Sequence, residues 1–153
     1  MYKVFKLLSR ITAFIFVAML LYVYAFLPEM VGLYFGGSEK AIFELSREAF
    51  FYSSIILFVV TTVFLSYLKK SLKAVSTAEI SSGLTESKVN GLQFWANGMS
   101  VMFNLFLVFS VSFVGMYHND EHFNNGYFAF LAYLGPLLLI GWIFYLVFIL
   151  IRK

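Results

Sequence analysis

Four residues of this chain combine side chains able to hold a polar ligand with a spacing that brings them together. Gln93, Asn97, Ser100 and Asn104 fall at i, i+4, i+7 and i+11, one face of a helix. Their neighbours Phe94, Trp95, Met99, Val101, Met102, Phe103 and Leu105 are apolar. Carboxamides and a hydroxyl on one stripe supply neutral donors and acceptors, the chemistry of a binding or conduction path for a small polar solute. The same groups serve equally as hydrogen bonds between helices, worth about 0.6 kcal/mol per contact on average. An unpartnered carboxamide in hydrocarbon costs a few kcal/mol, so the stripe should turn away from lipid with other helices packed over it. The expected neighbour is the second apolar block, where Ser54 and Thr61 lie seven apart on one face. Asn97 and Asn104 are expected to meet it.

A second group is His118-Asn119-Asp120-Glu121-His122. Two histidines at i, i+4 could hold Zn²⁺ if the segment were helical, but a catalytic site would need a third ligand and a base. The order is not H-E-x-x-H, and Asn119, Asn124, Asn125 and Gly126 read as a turn. A solvated loop is therefore expected, with no metal and no cofactor. Serines are plentiful, but none sits in a G-x-S-x-G elbow, and no glycine-rich phosphate cradle is present. With no cysteine, thiol chemistry and disulfides are excluded. No catalytic constellation emerges, and the chain is not expected to be an enzyme.

The elements that must position these residues are membrane helices. Of 153 residues, 61% are hydrophobic and 12% charged, where a soluble domain carries about 25% charged residues. The apolar residues form four blocks, at about 11–27, 49–68, 91–117 and 127–151. Each is close to the ~20 residues that cross ~30 Å of hydrocarbon. The fold expected is an all-α membrane protein, a single domain formed by a four-transmembrane-helix bundle. None of the four blocks contains an Asp, Glu, His, Lys or Arg, which disfavours proton-coupled transport. The basic start and first block resemble a signal peptide, but the block runs on through Tyr22, Tyr24 and Phe26 with no A-x-A-like site, as an uncleaved anchor does. In the fourth block Gly135-Pro136 should loosen the helix, and Ala129, Ala132 and Pro136 form a small-residue face for close approach of another helix.

Charge sets the expected orientation. Lys3, Lys6, Arg10, Lys69, Lys70, Lys73, Lys88, Arg152 and Lys153 fall on one side, and only Lys40 and Arg47 on the other. Nine basic residues against two place both termini in the cytoplasm. The net charge of +3 thus reports topology and not a nucleic-acid surface. Together with the absence of cysteine and of any N-x-[ST] sequon, it suits a bacterial inner membrane. Pro28 should end the first helix. Beyond it, 31–35 favours a strand, Gly36-Gly37 a turn and 41–45 a returning strand. The outward loop is then either a short extracytoplasmic β-hairpin or an irregular loop with a tucked aromatic plug. Ser46 can cap the next helix.

The run Leu27-Pro28-Glu29-Met30-Val31-Gly32-Leu33-Tyr34-Phe35-Gly36 resembles the L-P-x-x-I-P-x-H-F segment after the first span in the bacterial membrane family that includes the SdpI immunity protein. Gly32 stands where that pattern has its second Pro, and Tyr34 where it has His. In that family the loop leads through a basic residue into the second span, as Arg47 does here. The resemblance implies toxin immunity or envelope signalling through membrane partners. The general layout is similar to that of small four-span bacterial membrane proteins. The function expected is therefore a non-catalytic integral membrane protein contacting a membrane-protein or peptide partner. Leu33, Tyr34, Phe35 and Phe43 would be the anchors, since aromatic side chains concentrate contact energy; alternatively they only cover the outer end of the bundle. A small-solute transporter or channel using Gln93, Asn97, Ser100 and Asn104 is the rival reading.

Overall fold

The computed structural model describes residues 2–33, 43–79, 86–118 and 130–151. Four helices, α1 Tyr2–Phe26, α2 Arg47–Glu79, α3 Glu86–Tyr117 and α4 Phe130–Ile151, carry the fold. Each contains a stretch long and apolar enough to cross a membrane: Val4–Phe26, Arg47–Ala74, Lys88–Tyr117 and Ala132–Ile151. The protein is a multi-pass, all-α membrane protein, with a small two-stranded sheet among the described residues.

The helices overrun the apolar blocks for a physical reason. Lys3, Lys6 and Arg10 are good helix formers, so α1 begins at Tyr2 instead of near 11. Likewise nothing between Lys69 and Glu79 breaks a helix, and α2 continues to Glu79 instead of ending near 68. At 1.5 Å per residue α2 is roughly 50 Å long, well beyond the hydrocarbon thickness. The first part of the second loop, 69–90, which the sequence allows to extend the second span as an amphipathic end, is thus helical as far as Glu79.

Helix α3 is the centre of the bundle. It packs against α1, α2 and α4, whereas α1 and α2 touch only slightly. Its packing face is continuous: Gln93, Asn97, Ser100, Asn104, Leu107, Val111, Val114 and His118 alternate by four and three residues. A repeat near 3.5 keeps one face on its neighbours. With the end of the bundle that carries the N-terminus of α1 called inner and the hairpin end outer, the inner half of that face is polar and the outer half apolar. On α1 the matching side is Ser9, Thr12, Phe16, Leu20, Val23 and Leu27, of which all but Ser9 are buried. Phe16, Leu20 and Val23 join Leu107, Val111 and Val114 in the core. The two helices run parallel: Asn104 lies beside Thr12, and Gly115 beside Val23. Against α4 the sense is opposite, with Gly91 beside Ile149, Gly98 beside Trp142 and Gly135 beside Phe106.

Gly135 is a point of close approach between α4 and α3. A Cβ at Gly135 would lie 3.3 Å from the Cα of Phe106, whereas Ala132 and Pro136 line a cavity and Ala129 is outside the described residues. Helix α4 runs unbroken through Pro136.

Between α1 and α2 the chain forms the hairpin. Pro28 follows the last turn of α1, where the Leu27 N–H still donates to Val23 O at 3.1 Å. Strands β1 Met30–Leu33 and β2 Phe43–Ser46 then pair antiparallel, with Met30 opposite Ser46 and Leu33 opposite Phe43. Of the two arrangements open from sequence, the hairpin is the one formed. Its Gly36-Gly37 turn, with Tyr34 and Phe35, is outside the described residues. Ser46 caps α2 by accepting the Ala49 N–H at 3.2 Å.

The orientation has a direct test. With nine basic residues against two, a reporter active only in the periplasm should be silent after Lys153 and active after Gly37. Activity at the C-terminus with none in the loop would contradict it.

Candidate functional site

The polar half of the α3 face meets two partners at its inner end. Asn104, 6% exposed, donates through Nδ2 to Ser9 O and Thr12 Oγ1 of α1, both at 3.1 Å. Thr12 Oγ1 in turn reaches Leu8 O at 2.9 Å. Asn104 is thus tied to α1, not to Ser54 and Thr61 of α2 as expected from the sequence. Ser9 and Thr12 stand level with Asn104 across the contact of the parallel helices α1 and α3. Ser54 lies in the outer half of the bundle, its Oγ donating to Phe50 O one turn back at 2.8 Å.

Asn97 donates to Gln93 O on its own helix at 2.7 Å. Gln93 and Asn97 nevertheless face α2, where they line a recess of about 60 Å³ with Ala96, Lys69, Leu72 and Lys73. Ser100 and Asn104 line a second cavity of about 80 Å³, together with Ser9 and Ala13 of α1 and Thr62, Ser66 and Lys69 of α2. All four stripe residues therefore lie against internal space, and Lys69 borders both cavities. From the sequence Lys69 reads as a topology signal at the end of the second span; its heptad spacing from Thr62 on an unbroken helix is the signal of its place beside the stripe.

The two carboxamides should differ in energetic weight. Asn104→Leu removes bonds between helices and should cost about 1–2 kcal/mol. Asn97→Leu removes only a bond within one turn and should cost clearly less. Denaturation of the purified variants checks the order, which equal losses would contradict.

The outer end is built differently. Val31 of β1 is fully buried in the core with Leu27, Phe50, Val111 and Val114. The buried Gly32 N–H donates to His118 Nε2 at 3.0 Å. Since Gly32 N can only donate, Nε2 accepts, and the ring proton sits on Nδ1, which donates to Val114 O at 2.9 Å. His118 thus mounts the hairpin on α3. At the other strand Arg47 N donates to Glu29 O at 2.9 Å, and Arg47 Nη1 to Leu27 O at 3.4 Å. The Arg47 guanidinium stands 5.2 Å from the centre of the Tyr24 ring, a cation–π distance. Beneath the hairpin a largely apolar cavity of about 370 Å³ opens between α2 and α4 over α3, lined by Gly32, Phe50, Ser54, Phe106, Ser110 and Pro136 among others.

Comparison with protein-family models, with curated proteins and with solved structures finds no match.

The described site residues read from the sequence fall into these two places, with Tyr34 and Phe35 outside the described residues. Gln93, Asn97, Ser100 and Asn104 are together at the inner end. Phe43 stands at the outer end, 56% exposed, and Leu33 is its cross-strand partner. His122 is outside the described residues, and among those described no three His, Cys, Asp or Glu side chains gather to hold a metal. His118, weighed as a metal ligand, instead holds the hairpin to α3. That role depends on a contact 86 residues away, which local spacing cannot disclose.

Proposed function

We propose that this is a non-catalytic protein of a bacterial inner membrane that acts through its outward hairpin on another membrane protein or an extracytoplasmic peptide. The observation that carries the reading is the mounting of the hairpin. Val31, Gly32 and Arg47 fasten it to three helices, while Met30 and Phe43 are left 57% and 56% exposed. A surface whose backbone is already ordered binds at a lower entropic cost than a free loop. Exposed apolar side chains on such a platform are suited to a partner's pocket or helix. An immunity-like or signalling-like role, as implied by the resemblance of residues 27–36 to the SdpI-containing family, agrees with this arrangement.

The polar face of α3 is the basis of the rival reading, a small-solute transporter or channel. Against it, Asn104 and Asn97 spend amide hydrogens on Ser9, Thr12 and Gln93 within the protein.

The test is extraction of the full chain in mild detergent. A stoichiometric partner that is lost on Met30→Ala with Phe43→Ala, while the helical content and monodispersity are kept, supports the contact reading. Uptake of a solute into proteoliposomes holding this protein alone, abolished by Asn97→Leu, would replace it with transport.

A further inference from the structure

We propose that the cavity beneath the hairpin holds one acyl chain of a membrane phospholipid. Gly32 of β1 lines its outer end, Phe50, Ser54 and Leu57 its α2 wall, and Ala132 and Pro136 its α4 wall. Along α3 it runs from Phe106 to Tyr117. Among the described residues, α2 and α4 both pack on α3 and make no substantial contact with each other. The slot between them is therefore continuous with the surface that meets the bilayer. Leu57, a lining residue on α2, is itself 47% exposed on that surface.

Shape selects the occupant. From Phe106 to Tyr117 the helix rises about 16 Å, half of the ~30 Å hydrocarbon core. A volume of about 370 Å³ over that length gives a mean cross-section of about 20 Å². Carbon atoms in contact lie about 4 Å apart, so an extended run of methylenes is roughly 4–5 Å across and fits that section. A helix, about 10 Å across, needs roughly 80 Å² and does not fit. Water does not suit the slot either, because its lining is largely apolar and Ser54 spends its hydroxyl on Phe50 O. A hydrocarbon chain supplies the dispersion contacts that the α2 and α4 walls do not give each other. The inference does not depend on the role of the hairpin.

Native mass spectrometry of the full chain in mild detergent tests it, with palmitoyl-oleoyl phosphatidylglycerol and phosphatidylcholine of the same chains as probes. The account expects one phospholipid of either kind to survive a delipidation that strips the rest. Ala132→Leu and Ser54→Leu, which fill the slot from opposite walls, should each weaken that binding by about tenfold. Either variant supplies the answer if the other does not fold. Tyr133→Leu, at an exposed α4 position outside the lining, should bind as the wild type does. Added phospholipid should also raise the melting temperature of the delipidated wild type, and not that of the filled variants. Equal retention in the wild type and both filled variants would reveal only the lipid that coats any span, and overturns the proposal. A wild type that retains no lipid overturns it too. So does a wild-type dimer that excludes lipid and dissociates in either filled variant, which would give the slot to a second copy of the chain.

Discussion

Gly98→Ala should destabilise the protein by about 3 kcal/mol, although the same change in an ordinary helix stabilises it by up to about 1 kcal/mol. A Cβ at position 98 would overlap the Trp142 ring, three of whose atoms would lie within 2.9 Å of it. The ring has no easy way to withdraw. Trp142 Nε1 donates to Trp95 O at 3.0 Å, and Trp95 Nε1 donates to Trp142 O at 2.8 Å. This reciprocal clasp locks α3 to α4, and Phe94, Phe5 and Tyr145 pack around Trp142. Moving the ring therefore gives up a hydrogen bond, about 1 kcal/mol, in addition to the overpacking. Gly141→Ala is the control, because a Cβ there meets nothing within 4 Å; it should be neutral or slightly stabilising. Denaturation of both variants in the same detergent checks the contrast. A partial recovery in Gly98→Ala with Trp142→Leu would locate the loss in that ring, since residues in contact couple. Equal stability of the two glycine variants would contradict the clasp.

His118→Leu should release the hairpin at a cost of about 1–3 kcal/mol, the penalty for leaving a buried N–H without an acceptor. The orphaned group is Gly32 N–H, which is buried and donates to His118 Nε2. The loss should be local: the helices keep their packing, since Phe16, Leu20 and Val23 do not depend on the hairpin for their contacts with α3. His118→Gln retains an acceptor near the same place and should lose less. The change is read by proteolysis within residues 29–46 and by helical content. A leucine variant with helices and hairpin both undisturbed would show that Val31 and Arg47 hold the hairpin alone.

Much of this fold was legible in the sequence because it depends on local chemistry. Four apolar blocks, the stop at Pro28 and the cap at Ser46 all follow from residues within a few positions of one another, whereas the hairpin was one of two arrangements that the same local signals left open. Helix ends were less legible, because lysines at a membrane boundary belong as readily to a helix as to a loop; Lys69 and Lys73 changed their meaning once α2 ran through them. Long-range pairings could not be read at all. Nothing near Trp95 announces Trp142, 47 positions on. Asn104 advertised an interior position but not its partner on α1, 92 positions away. His118 looked like half of a metal site because its true neighbour, Gly32, is across the fold.

The central claim is that the hairpin is a fixed platform and not a loose loop, and hydrogen–deuterium exchange of the full chain in lipid nanodiscs tests it most directly. The account predicts that amides of β1 Met30–Leu33, Gly32 above all, exchange nearly as slowly as those in the α3 helix, and that this protection falls by at least tenfold in His118→Leu. Exchange of β1 in the wild type at the rate of an open loop, unaffected by position 118, would contradict it.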